Sequence, residues 1–158
     1  MSEKFLITKE GYNKLKAEIE NLKNVQRPNI IIAVATAREL GDLKENAEYH
    51  SSREKQSMIE AMIANFEDKL ARAELVDIAS LSGDMVRFGA TVKLENSENE
   101  KKVIYKIVSE YEADIDAGLI SNTSPVAQAL MGKKIGDEVE IKTPGGIVAY
   151  EILEIFFK

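Results

Sequence analysis

Two periodicities divide the chain. Apolar residues at Tyr12, Leu15, Ile19 and Leu22 are spaced three, four and three apart, which lines up one stripe along a helix. Thr8 is placed to cap that helix, with Lys9 and Glu10 opening its first turn. Pro28 interrupts the pattern and is expected to kink the helix or shift its phase, after which Ile30, Val34 and Ala37 resume it. A second stripe, Ile59, Ile63, Phe66, Leu70 and Ala73, alternates steps of four and three. That is heptad spacing, and two such segments joined by a short turn predict an antiparallel coiled-coil hairpin from about residue 8 to about residue 77. The breaker pair between the stripes is Gly41-Asp42, which puts Asp42 at the far tip. Each arm of about 30 residues would reach roughly 45 Å at a rise of 1.5 Å per residue. A protrusion of that kind serves reach more than stability.

Beyond Leu81-Ser82-Gly83-Asp84 the period becomes two. Val86, Phe88, Ala90, Val92 and Leu94 alternate with polar or small residues, as in a half-buried strand, and Val103, Tyr105 and Ile107 do so again after the polar turn 96–100. Ser124-Pro125 is an N-cap followed by proline at the first helical position, and Gly132 ends that short helix. Val139-Glu140-Ile141 and Val148-Ala149-Tyr150-Glu151-Ile152 form a last strand pair about Pro144-Gly145-Gly146. The predicted class is α + β, with the hairpin in 1–77, its acidic tip near 41–46, and a small sheet domain in 78–158.

Composition removes several kinds of function. Cysteine is absent, so disulfides, zinc ribbons, iron–sulfur clusters and thiol nucleophiles are excluded, and the single histidine, His50, excludes internal His–His metal sites. No apolar run approaches the roughly 20 residues that span a bilayer, and no signal-like segment follows the start, so a cytoplasmic location is expected. Across 158 residues, 21 Lys and Arg face 27 Asp and Glu, a net charge of −6. That balance argues against coating DNA or RNA by bulk positive charge.

The tip holds the one arrangement with a specific chemical suggestion. Asp42 and Glu45 are three residues apart; if Asp42 caps the second helix, their side chains fall close together at its start. Two exposed carboxylates suit a hard cation, but two ligands alone hold Mg²⁺ weakly, so one reading is half a metal site that a partner completes. The other reading is ordinary helix capping, with Asp42 as cap and Glu45 as a favourable charge at the helix N-terminus.

The run Ala35-Thr36-Ala37-Arg38-Glu39-Leu40-Gly41-Asp42-Leu43-Lys44-Glu45-Asn46-Ala47-Glu48-Tyr49-His50 resembles the tip signature of the Gre family of bacterial transcript cleavage factors. The resemblance continues through Arg53-Glu54, Phe88-Gly89-Ala90-Thr91-Val92, Ile120-Ser121-Asn122-Thr123-Ser124-Pro125 and Ile141-Lys142-Thr143-Pro144-Gly145-Gly146, in order and over essentially the whole chain. It implies a coiled-coil hairpin followed by an FKBP-like α+β domain. It also implies a partner, bacterial RNA polymerase. The C-terminal domain would dock at the rim of the secondary channel through the region of Ser121, Ser124 and Pro125, and the hairpin would enter that channel. There Asp42 and Glu45 would share a Mg²⁺ with the polymerase and orient the water that cuts a backtracked RNA at its 3′ end. The polymerase is then the catalyst, and the factor alone is expected to be neither a nuclease nor a tight Mg²⁺ binder. Of the family's subtypes, the one without a large basic cluster along the hairpin fits better.

Arg38, Lys44 and Arg53 near the tip are candidates for contact with RNA or the channel wall; their alternative is solvated helix surface beside Glu39 and Glu54. Tyr49 is expected in the hairpin seam, His50 against water or a backbone group, and Glu48 as a helical partner of Lys44. Two rival functions follow: a channel binder without cleavage activity, and a prolyl isomerase. The acid pair argues against the first; the lack of Trp and scarcity of aromatics in the second half argue against the second. A monomer with no membrane association is expected, since the heptads can be satisfied within the hairpin. Residues 1–76 carry 12 basic and 13 acidic side chains and 77–158 carry 9 and 14, so the acidity lies mainly in the second half.

Overall fold

Residues 3–158 are described by a computed structural model. The chain separates into two compact units, one formed by residue 3 with Tyr12–Ala73 and the other by Lys4–Gly11 with Glu74–Lys158. This differs from a division at 77/78. The first strand, β1 (Phe5–Thr8), pairs with β2 (Ala73–Val76), and both chain segments thereby leave the helical unit early. Residues 1 and 2 of the expected 1–77 segment lie outside the described residues.

The helical unit is a hairpin. Helix α1 (Lys9–Asn21) runs into a π-helical segment at Leu22–Gln26, then α2 (Arg27–Arg38), and α3 (Ala47–Arg72) returns. The π segment is the phase shift expected at Pro28, which stands at the start of α2. Proline has no N–H to offer and its ring crowds the carbonyl one turn back, so a wider turn just before it relieves both. The arms are antiparallel, because partners descend on α3 as they ascend on the first arm: Lys23 meets Glu67, Arg27 meets Glu60 and Arg38 meets Tyr49. Leu22, Ile30, Ile59 and Ile63 form the buried seam, with Ala33 and Phe66 against it. The fork of Arg27 meets Glu60 at both ends, Nε to Oε1 and Nη2 to Oε2, each at 2.7 Å. Thr8 does cap α1: its Oγ1 accepts from Gly11 N at 3.0 Å. The last residue of the second stripe, Ala73, belongs to β2 and not to the helix.

The second unit is a five-stranded sheet in the order β5-β4-β3-β7-β6, built from β3 (Ala90–Asn96), β4 (Lys102–Val108), β5 (Leu119–Ser121), β6 (Glu138–Thr143) and β7 (Gly146–Phe157). All pairs are antiparallel except β4 with β5. Helix α4 (Pro125–Leu130) supplies Ala127 and Leu130 to the core shared by Val92, Leu94, Ile107, Ile120, Val139, Ile141 and Ile152. The expected strand from Val86 begins only at Ala90. Gly89 has φ +88°, outside strand geometry, and donates its N–H to Ile107 O at 2.9 Å. The α + β class is as expected, while β1, β2 and β5 had no signature in the periodicity.

Candidate functional site

The tip is built by the way the two helices end. Helix α2 stops at Arg38, and Glu39 to Glu45 form turns that contain Gly41 at φ +130°, a conformation that glycine adopts without strain. Helix α3 begins at Ala47 with Asn46 as its cap, the Asn46 side chain accepting from Tyr49 N at 2.9 Å. Asn46 also donates through Nδ2 to the carbonyl of Ala37 at 2.5 Å, so one side chain satisfies a donor of α3 and an acceptor at the end of α2. Asp42 is therefore not the cap. Its Oδ1 accepts from Lys44 N at 3.0 Å, an Asx turn inside the loop. The premise that would bring Asp42 and Glu45 together at a helix start does not hold, and the capping explanation for Asp42 falls with it.

Both acids are exposed. One carboxylate oxygen of Asp42 is committed to Lys44 N, leaving the other for an outside ligand. Among the described residues no group of three or more His, Cys, Asp or Glu is arranged to hold a metal. Exposed carboxylates are the oxygen donors that Mg²⁺ takes, and with only two of them from this chain the remaining positions fall to water or another molecule. Asp42 and Glu45 are oxygen donors of that type.

Around the acids, the Arg38 guanidinium lies 5.8 Å from the centre of the Tyr49 ring, which meets the His50 ring edge-on at 5.6 Å. His50 Nε2 is 3.1 Å from the carbonyl of Lys44, a backbone partner of the kind expected for it. Arg53 donates to Gln56 at 2.9 Å rather than pairing with Glu54. Lys44 lies in the turn before α3, so the helical i,i+4 relation expected with Glu48 does not exist. Arg38, Lys44 and Arg53 are all exposed. Two residues had escaped notice: Leu40 and Leu43, 64% and 40% exposed on either side of Asp42. Leucines in a solvent-facing turn were the available signal.

In the second unit, Ser121, Ser124 and Pro125 lie where β5 gives way to α4. The Ser124 hydroxyl accepts from Ala127 N at 3.2 Å as helix cap, Pro125 occupies the first turn, and the Ser121 hydroxyl accepts from Thr123 N at 3.1 Å. Ser121 and Ser124 are half-buried and Pro125 is exposed.

The family model for the N-terminal part of transcription elongation factors GreA/GreB matches residues 5–75, and the model for their C-terminal part matches 81–156. Transcription elongation factor GreA of Phenylobacterium zucineum is 52% identical over 153 residues, covering 97% of this chain and 98% of that protein. The factor of the same name from Beijerinckia indica is 54% identical over 156 residues, covering 99% of each. The crystal structure of GreA factor homolog 1 from Thermus thermophilus aligns over 97% of this chain and 99% of that one, at 26% identity and a TM-score of 0.45. With its two halves matched in order by the two models, and about half of its positions shared with relatives covered almost end to end, the chain belongs to the GreA/GreB family of transcription elongation factors.

Proposed function

We propose that this chain acts on bacterial RNA polymerase to stimulate hydrolysis of backtracked transcripts by the polymerase's own active site, with Asp42 and Glu45 as the acids it lends. The observation that carries the reading is an exposed acid pair at the end of a helical arm, with Asp42 released from any duty as helix cap. A Mg²⁺ shared with the polymerase would supply charge neutralisation and an activated water to phosphodiester hydrolysis. The roles of this chain's residues follow from their chemistry. The free oxygen of Asp42 and the Glu45 carboxylate bind and orient, and Gly41 and Asn46 hold the loop that presents them. Leu40 and Leu43, apolar and exposed, suit a contact with apolar parts of the channel wall. Lys44, Arg38 and Arg53 suit RNA phosphates or acidic channel residues, Arg38 and Arg53 after exchanging their present partners.

The loop of Ser121, Ser124 and Pro125 is our choice for the polymerase-docking surface. The five-stranded sheet with one short helix in its core supports an FKBP-like reading of this unit. The buried seam of the hairpin supports a monomer, and action on bacterial RNA polymerase supports a cytoplasmic location. On this reading the isolated protein is not an enzyme.

The test is a stalled, backtracked elongation complex supplied with Mg²⁺, with and without the protein. RNA shortening from the 3′ end is expected only when both are present. Asp42→Ala and Glu45→Ala should lose most of it while binding polymerase as the wild type does. Binding with no cleavage by the wild type would identify a channel modulator instead, and wild-type cleavage by both variants would remove the acids from the mechanism.

A further inference from the structure

The backbone of Lys44 is held on both sides. Its N–H donates to Asp42 Oδ1 at 3.0 Å, and its carbonyl oxygen lies 3.1 Å from His50 Nε2. A carbonyl only accepts, so the imidazole is the donor and Nε2 carries the proton. The Lys44 carbonyl and the Glu45 N–H belong to one planar peptide unit, so a ring that fixes the oxygen also sets the direction in which Glu45 leaves it. The Asp42 carboxylate is tied to the same residue from the other side. His50 thus gives both acids a common reference. It stands in the first turn of α3, where its N–H donates to the carbonyl of the cap residue Asn46 at 3.1 Å. Its ring is exposed but braced: it meets the half-buried Tyr49 ring edge-on at 5.6 Å, and the Arg38 guanidinium of α2 lies 5.8 Å from the centre of the Tyr49 ring. A braced ring gives up less freedom on bonding than a free side chain does. All of these residues belong to the helical unit.

We infer that His50 is a positioning residue for the acid pair: by donating to the Lys44 carbonyl it holds the turn in the form that presents Asp42 and Glu45 to a shared Mg²⁺. The inference rests on the function proposed above. A net hydrogen bond biases an equilibrium roughly two- to tenfold. When the competent form of a site is less populated, its apparent affinity falls by the same factor. Loss of the donor therefore raises the Mg²⁺ demand of stimulated cleavage, an excess of Mg²⁺ overcomes the loss, and the affinity for polymerase is unaffected.

The experiment measures cleavage in backtracked complexes against Mg²⁺ concentration and, separately, against concentration of the full-length protein. His50→Leu removes the donor and leaves a good helix former; His50→Gln keeps an N–H donor at the same number of bonds from the backbone. His50→Leu is expected to raise the half-maximal Mg²⁺ concentration about three- to tenfold while the half-saturating protein concentration stays as in the wild type, and His50→Gln to recover most of the difference. In the free protein, the carbonyl-carbon NMR shift of Lys44 should move upfield in His50→Leu and return in His50→Gln. Hydrogen exchange at the Tyr49 amide should stay near wild type in both, because Asn46 still caps α3. An unchanged Lys44 shift, a glutamine variant that behaves like the leucine variant, an effect confined to protein concentration, or faster Tyr49 exchange in step with the loss would each overturn the inference. If the wild-type protein stimulates no cleavage, the proposed function itself fails and takes the inference with it. Stimulation whose Mg²⁺ dependence is indifferent to His50 removes the inference alone.

Discussion

Replacing Asn46 with alanine separates the architecture of the tip from its chemistry. The side chain makes two bonds, accepting from Tyr49 N and donating to Ala37 O. Losing an N-cap costs about 1 kcal/mol, and a hydrogen bond of the second kind adds about 0.5–1.5 kcal/mol, at the lower end here because Asn46 is half-exposed. The opening of the first turn of α3 should then be easier by about 1.5–2 kcal/mol, roughly a 10- to 30-fold change in its equilibrium. Native-state hydrogen exchange at the Tyr49 amide reads this directly. Asn46→Asp keeps the cap acceptor but sets an oxygen against the Ala37 carbonyl, so it should restore only part of the protection. Asp42→Ala removes a single exposed loop bond and should leave Tyr49 exchange nearly unchanged while losing most of the cleavage stimulation. The reasoning fails if Asn46→Ala leaves Tyr49 protected while Asp42→Ala exposes it. That result would start α3 at Asp42 and return the acid to a capping role.

Three further outcomes are expected. The Glu60 carboxyl is held below its ordinary range, chiefly by its hydrogen bond to Arg27. Its contribution is therefore present above the unfolded carboxyl value of about 4.3 and lost as pH falls through the lower folded value, and in a carboxyl NMR titration Arg27→Gln should move Glu60 back up. Burial, with Tyr150 nearby, pushes the Tyr105 phenol up. The stability it contributes is present below the ordinary phenol value of about 10 and lost as pH rises through the folded one, so Tyr105→Phe should delete one late step from an ultraviolet phenolate titration. Leu94, fully buried and paired in register with Ile152, should cost about 2–5 kcal/mol on truncation to alanine, seen as a lower urea midpoint for the sheet unit.

Features set by neighbours in sequence were legible. The 3-4 stripes that bury Leu22, Ile30, Ile59 and Ile63 are local, as is the cap of α4 at Ser124. The disturbance at Pro28 was visible too, because a missing N–H and a ring clash are properties of the residue itself, although only the structure identifies a π segment as the response. The condition that Asp42 caps the second helix does not hold, because α3 starts at Ala47 with Asn46 as its cap. What decides is that Asn46 can bond both helix ends at once, which requires the hairpin to be closed.

The amino-acid sequence by itself determined a helical hairpin with an acidic turn, an α + β second half, and a family signature spanning both. Each depends on residue type and short spacing. Tertiary structure alone decided that Phe5–Thr8 pairs with Ala73–Val76, that Leu119–Ser121 lies parallel to β4, and that Gly11 yields its space to Glu112. Strands of three or four residues carry too little periodicity to be seen, and their hydrogen bonds are made with partners remote in sequence. The same holds for Asp42 at the tip: it accepts from Lys44 N within the loop, while Asn46 takes the cap of α3.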